Sequence, residues 1–186
     1  MKAIIYTNYG SSNILQLKEL EKPIPKDDEV LLKVHTASVN PLDWHFMRGT
    51  PYVLRLQAGM LKPKNIRLGV DVAGTVESVG KDVTEFKPGD EVFGGCDGAF
   101  AEYVCAKEKA FVIKPNNVTF KQAAAAPIAA FTALQGLRDQ GQIQPGQKVL
   151  INGAAGGVGT FAVQIAKSFG AIVTGVCSTR NVEMVC

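Results

Sequence analysis

The strongest chemical signal in this sequence is seven residues long: Gly153-Ala154-Ala155-Gly156-Gly157-Val158-Gly159. Read as Ala-x-Gly-x-x-Gly from Ala154, it follows the dinucleotide-binding pattern with Ala in place of the first glycine. Gly156 lets backbone approach a diphosphate, and Gly159 lets the following helix pack tightly on the preceding strand. The helix start then turns free N–H groups and the positive end of its dipole toward the anion. Ala155, Gly156, Gly157, Val158 and Gly159 are the candidate contacts. A glycine turn needed only for close packing is the other reading of the same residues.

A second group of residues bears on which dinucleotide is meant. The stretch Gly175-Val176-Cys177-Ser178-Thr179-Arg180 holds no carboxylate, where an NAD site usually sets one against the ribose hydroxyls. A carboxylate there would repel a 2′-phosphate, whereas Ser178 and Arg180 can bind one through a hydroxyl and a charge-assisted pair. NADPH is therefore expected over NADH. An ordinary polar loop with Arg180 solvated is the alternative.

The elements that must position these groups follow from periodicity. Gln147–Asn152 reads as a buried strand, Gly157–Phe169 as a helix capped by Gly170, and Ala171–Val176 as a second buried strand. Together they make one β-α-β unit of a parallel sheet. Thr119-Phe120-Lys121-Gln122 fits a capping box. Helical sequence runs from there to about Gln140, with Pro127 starting a second helix. Before residue 115 the chain reads as short strands: 1–7, 29–37, 70–79, 90–93, 101–105 and 110–113. Gly and Pro punctuate them, and Lys87-Pro88-Gly89-Asp90 is a turn with a mechanism. That pattern predicts a barrel-like all-β unit.

Composition excludes several classes. With 46% hydrophobic and 20% charged residues among 186, the chain is of the globular type rather than disordered or coiled-coil. A net charge of +3, with no Lys/Arg cluster interleaved with aromatics, argues against nucleic acid. The longest apolar stretch, 123–131, is Ala-rich, contains Pro127 and is too short to span a bilayer. The N-terminal apolar run is too short for a signal peptide. Cys96, Cys105, Cys177 and Cys186 form no C-x-x-C pair, so free thiols in a reducing, cytoplasmic setting are expected and no metal site is.

At this point the sequence resembles the medium-chain dehydrogenase/reductase superfamily, in its zinc-independent quinone oxidoreductase branch. The motifs that carry the resemblance are 37–43 (ASVNPLD), 69–80 (GVDVAGTVESVG), 86–94 (FKPGDEVFG), 99–104 (AFAEYV), 126–134 (APIAAFTAL) and 149–159. The resemblance implies an α/β plus β fold: a GroES-like β-barrel catalytic domain over 1–122, then an incomplete Rossmann domain over 123–186. It also implies an active site in the cleft between the two. Zinc-dependent relatives place a Cys where this chain has Asn40, a His where it has Val70, and a second Cys near Ile128. Asn, Val and Ile cannot supply the thiolate and imidazole ligands that catalytic zinc requires.

Without a Lewis acid, a carbonyl must be polarised by hydrogen-bond donors, which suits an acceptor that is already electrophilic. The expected reaction is hydride transfer from NADPH to a quinone or α,β-unsaturated carbonyl. Asn40 is the first candidate donor, with a turn residue before Pro41 as its other reading. Tyr52 stands where related enzymes carry a cleft tyrosine, or is a loop aromatic. Thr132 resembles the family's threonine near the nicotinamide, or packs a helix. For Asp43, Trp44, His45 and Asp71, structural roles are at least as well supported. A doubly wound fold needs more strands than the two present here, so the chain is expected to be a fragment of weak or no activity whose full-length form is a homodimer. A non-catalytic remnant acting as a protein-interaction module is the competing expectation.

Overall fold

The structure is a computed structural model that describes residues 1–185; Cys186 lies outside them. The chain divides into two compact units, Met1–Pro127 and Ile128–Cys186.

The first unit is built on β1 (Lys2–Ile5), β2 (Gln16–Glu19), β3 (Glu29–Ser38), α1 (Pro41–Arg48), α2 (Arg55–Ala58), β4 (Asp71–Val79), β5 (Glu91–Gly95), β6 (Tyr103–Lys107), β7 (Phe111–Ile113) and α3 (Phe120–Ala124). Five strands form one antiparallel sheet in the order β6-β3-β4-β5-β7, and β1 pairs with β2 alone. The sheet is open: β6 and β7 are its edges, and single bridges from Ala3 to Ala101 and from Ile5 to Arg67 take the place of a closed ring. Short strands with turns between them fit a barrel and an open curled sheet equally, which is why the pattern alone did not separate them.

Long strands β3 and β4 carry the core. Val30, Leu32, Val72, Val76, Val92 and Val104 are all essentially inaccessible to solvent, and each such side chain stabilises the fold by about 1.5–3 kcal/mol relative to exposure. The β3–β4 register slips at Leu31/Leu32 and at Val34/Thr36, so β3 does not keep strict alternation. Helix α3 opens with the capping box expected of it. The Gln122 N–H donates to Thr119 Oγ1 at 3.3 Å, and the Thr119 N–H donates to Gln122 Oε1 at 2.9 Å. Ala123 and Ala124 then bury against Ala73.

Two elements of this unit were not anticipated. Strand β2 is exposed at every residue and has no apolar period to find. Helix α1 begins within the motif 37–43, with two residues separating it from the end of β3, Pro41 at its first position and Asp43 in its first turn.

The second unit runs α4 (Pro127–Leu134, its first residue shared with the division), a π-helical turn over Gln135–Gln140, β8 (Lys148–Asn152), α5 (Gly157–Ser168), β9 (Ile172–Val176) and α6 (Val182–Val185). Strands β8 and β9 are parallel, Lys148 opposite Ile172 through Asn152 opposite Val176, and α5 makes the crossover. Ala162 and Ala166 of α5 pack on Ile151, Ala154 and Ala133. Gly170 follows the helix with φ +78°, a left-handed residue that ends it as glycine does. The other face of the strand pair shows Leu150 and Ile172 largely to solvent.

Candidate functional site

In the first unit, residues brought together by sheet register form a small polar cluster. Ser38 ends β3 opposite Asp71, which begins β4. The Ser38 hydroxyl donates to Asp71 Oδ2 at 2.9 Å, and Asn40 Nδ2 donates to the same oxygen at 3.0 Å. Asn40 Nδ2 also donates to Ser38 Oγ at 3.0 Å. Asp71 is fully buried (0%), so these donors stabilise a carboxylate that water does not reach.

Asn40 is at the same time the residue before α1. Its main-chain N–H donates to Asp43 Oδ2 at 2.8 Å, the reciprocal half of a capping box, and the Gly69 N–H donates to Asp43 Oδ1 at 3.0 Å. Burial raises the Asp43 carboxyl above the usual carboxylate range, while the N–H groups of Asn40 and Gly69 pull it back down. The order Asn, Pro at the first helical position and Asp two residues later is a helix-start signature. Reading Asn40-Pro41 as a turn overlooked that signature. Ser38 was overlooked as well, because only strand pairing sets it beside Asp71.

A cavity of about 210 Å³ adjoins this cluster and is lined by Asp43, Gly69, Val70, Tyr6, Phe46 and Leu68, among others. Gln57, Lys64, Asn65, Arg67 and Asp97 give it a polar side. Tyr52 is not in it. It begins a short 3-10 turn, is 73% exposed, and has the Arg55 guanidinium 4.9 Å from its ring centre. No hydrogen bond or ring contact joins Tyr52 to Asn40 among the described residues. His45 donates to or accepts from nothing catalytic; its Nδ1 lies 2.7 Å from the Thr50 carbonyl. Trp44 stands edge-on to His45, with the Arg48 guanidinium over its ring.

In the second unit, the glycine turn is held by main chain. The N–H groups of Gly153 and Ala154 both donate to the Val176 carbonyl at 3.0 Å, which ties the turn to the end of β9. The first bond of α5 is from Thr160 N–H to the Gly156 carbonyl at 2.9 Å. The N–H groups of Gly157, Val158 and Gly159 precede it in the first turn, where a helix leaves its N–H groups without intrahelical partners. The glycines differ in what surrounds them. A Cβ on Gly159 would fall 2.1 Å from the Gly153 carbonyl oxygen, so that glycine serves packing. A Cβ on Gly157 would meet nothing within 4 Å, and one on Gly156 only the Gly153 carbonyl at 3.2 Å. That open space beside free N–H groups fits a diphosphate.

Ser178 and Arg180 lie just beyond β9. Both are exposed, Ser178 Oγ accepts from Asn181 Nδ2 at 3.1 Å, and Arg180 forms no ion pair among the described residues. Thr132 is exposed on α4, its hydroxyl donating to the Ile128 carbonyl at 2.6 Å. No group of His, Cys, Asp and Glu able to hold a metal occurs among the described residues. No helix there is long and apolar enough to cross a membrane.

Comparison with known proteins adds to this geometry. Residues 26–116 match the alcohol dehydrogenase GroES-like domain. The spinach chloroplastic quinone-oxidoreductase homolog is 40% identical over 200 residues, covering all of this chain and 58% of the relative. The solved quinone oxidoreductase of Coxiella burnetii aligns with a TM-score of 0.89 at 36% identity, over 100% of this chain and 59% of that one. The Escherichia coli quinone oxidoreductase complexed with NADPH aligns with a TM-score of 0.86 at 27% identity, over 100% and 55%. The chain thus spans little more than half the length of the relatives it matches. By its GroES-like unit, its β-α-β unit with the glycine turn and these similarities, the chain belongs to the medium-chain dehydrogenase/reductase superfamily, in the quinone-oxidoreductase-like branch.

Proposed function

We propose that this chain carries the acceptor-binding and diphosphate-binding parts of an NADPH-dependent, zinc-independent oxidoreductase acting on quinones or α,β-unsaturated carbonyls. The observation that supports it most is the pairing of free N–H groups with open space at Gly156 and Gly157, at the start of a helix between two parallel strands. Ala155, Gly156, Gly157, Val158 and Gly159 would hold the diphosphate, Ser178 and Arg180 would take the 2′-phosphate, and Thr132 would serve the nicotinamide. The relative from Escherichia coli was solved with NADPH, which supports the choice of cofactor.

Bound there, the reduced nicotinamide supplies the hydride. The acceptor's oxygen then gains negative charge and needs donors. Tyr52 offers a phenol, and Asn40 orients the polar cluster beside the cavity, since both of its Nδ2 hydrogens are engaged by Ser38 and Asp71. Asn40, Val70 and Ile128 stand where a zinc enzyme needs thiolate and imidazole, which favours the metal-free route. We place the reaction in the cytoplasm and the full-length protein as a homodimer without nucleic acid.

Calorimetric titration with NADPH and with NADH tests the reading. Tighter binding of NADPH supports it, and equal binding of the two overturns the assignment of Ser178 and Arg180. Binding of neither supports a second reading, a non-catalytic interaction module, which the exposed Leu150 and Ile172 on the strand pair favour.

A further inference from the structure

The segment from Arg48 to Arg67 exposes apolar and basic side chains together. Its 3-10 turn Tyr52–Leu54 runs directly into α2, giving one short helical stretch. Tyr52, Val53 and Leu56 share a face at helical spacings of three and four, and that face is the exposed one. Arg55 is half-buried between them and the body of the unit. Its Nε donates to the Gly49 carbonyl at 2.9 Å, and its guanidinium lies 4.4 Å from the Tyr9 ring centre. The loop that follows continues the pattern, with Met60 64% and Leu61 92% exposed. A helical stretch that keeps its arginine half-buried while exposing Tyr52, Val53 and Leu56 leaves an apolar patch on the surface.

Charge accompanies this apolar surface. Between residues 48 and 67 the sequence carries Arg48, Arg55, Lys62, Lys64 and Arg67 and no Asp or Glu, in a chain whose total is only +3. None of the five forms an ion pair among the described residues. They are spaced too widely along the chain to stand out as a basic cluster, but Lys62 and Lys64 directly follow the most exposed leucine.

We propose that this segment docks the protein on an anionic lipid surface, with Val53, Leu56, Met60 and Leu61 in the interfacial layer and the lysines on lipid phosphates and carboxylates. Aliphatic side chains beside uncompensated cations are what such a surface selects. A second copy of the chain fits less well, because a two-fold contact would set the same cations against each other. A single-stranded nucleic acid fits less well too. The protruding groups are mainly aliphatic and offer no flat face for a base, and the rings of Trp44 and Tyr52 already hold Arg48 and Arg55. The proposal does not depend on hydride transfer, so its failure and that of the redox reading are separable.

The test is flotation of the 186-residue chain with vesicles of phosphatidylcholine alone and of phosphatidylcholine mixed with phosphatidylserine. The expected result is binding to the mixed vesicles only, lost as sodium chloride is raised. Lys62→Gln with Lys64→Gln lowers partitioning by about tenfold or more, and Leu56→Ser with Leu61→Ser abolishes it, each with an unchanged far-UV circular dichroism spectrum. The salt dependence of the unaltered chain tests the idea even if a variant fails to fold. Four results would overturn it: no binding to anionic vesicles at low salt, equal binding to neutral ones, a self-associated chain that Leu56→Ser with Leu61→Ser makes monomeric, or binding of single-stranded RNA in preference to vesicles.

Discussion

Asn40 donates its side-chain amide to the carboxylate of Asp71 at 3.0 Å, across thirty-one positions of sequence. This bond, the Ser38 hydroxyl on the same oxygen and the Asp43 carboxylate on the Asn40 N–H join the end of β3, the start of β4 and the start of α1. One residue thus caps a helix with its main chain and satisfies a buried anion with its side chain. The site is framed from within the first unit.

Replacing Asn40 tests that framing. Asn40→Ala removes a donor from a buried carboxylate and is expected to destabilise the chain by about 1–3 kcal/mol in urea denaturation. Ser38→Ala shares the same acceptor, so the double variant should cost less than the sum of the two. Additive effects would show that Asp71 does not couple them.

Gly157 and Gly159 separate the two readings of the glycine turn. Gly159→Ala forces a methyl against the Gly153 carbonyl and is expected to lower the melting temperature. Gly157→Ala meets nothing and gains helix propensity, so stability should hold or rise by up to about 1 kcal/mol. On the proposed reading NADPH affinity should nevertheless fall, because the methyl would take space the diphosphate needs. A variant that keeps full affinity would leave packing as the turn's only role.

The proposed role of Arg180 in the choice of dinucleotide can be tested by substitution. Arg180→Ala is expected to weaken NADPH by roughly ten- to a hundredfold, the worth of a charge-assisted hydrogen bond, and to leave NADH unchanged. Calorimetry with both cofactors reads the ratio. Equal losses for the two would remove the 2′-phosphate from the argument.

Alkaline pH offers a test on stability. Burial pushes the Cys96 thiol from 9.0 up to about 12 and the Cys105 thiol from 9.0 up to about 11, and it pushes the Tyr6 phenol from 10.0 up to about 12. In each case the folded chain keeps a proton that the unfolded chain gives up. Stability is therefore unaffected by these groups below about pH 9 and falls as pH rises from there toward 12. Denaturant midpoints measured across that window should drop steadily, and Cys96→Ala should soften the slope.

Much of this molecule was legible before its structure. Thr119 and Gln122 cap α3 as their spacing required, Pro127 starts a helix, and Gly170 ends α5. These signals are local, each acting over a few residues. What escaped was non-local. Ser38 matters because β3 and β4 pair in a particular register. Lys114 is buried, its ammonium shared by Glu91 and the carbonyls of Pro115 and Val118, and its partner Glu91 lies on β5. Along the chain, nothing announces which distant strand will lie alongside.

The carbonyl of Val176 is gripped by two successive amides of the glycine turn. Because that clamp is made of main chain only, it does not use the side chains at positions 178 to 180. On the proposed reading, exchange of Ser178 and Arg180 would alter the dinucleotide preferred while the turn itself stays in place.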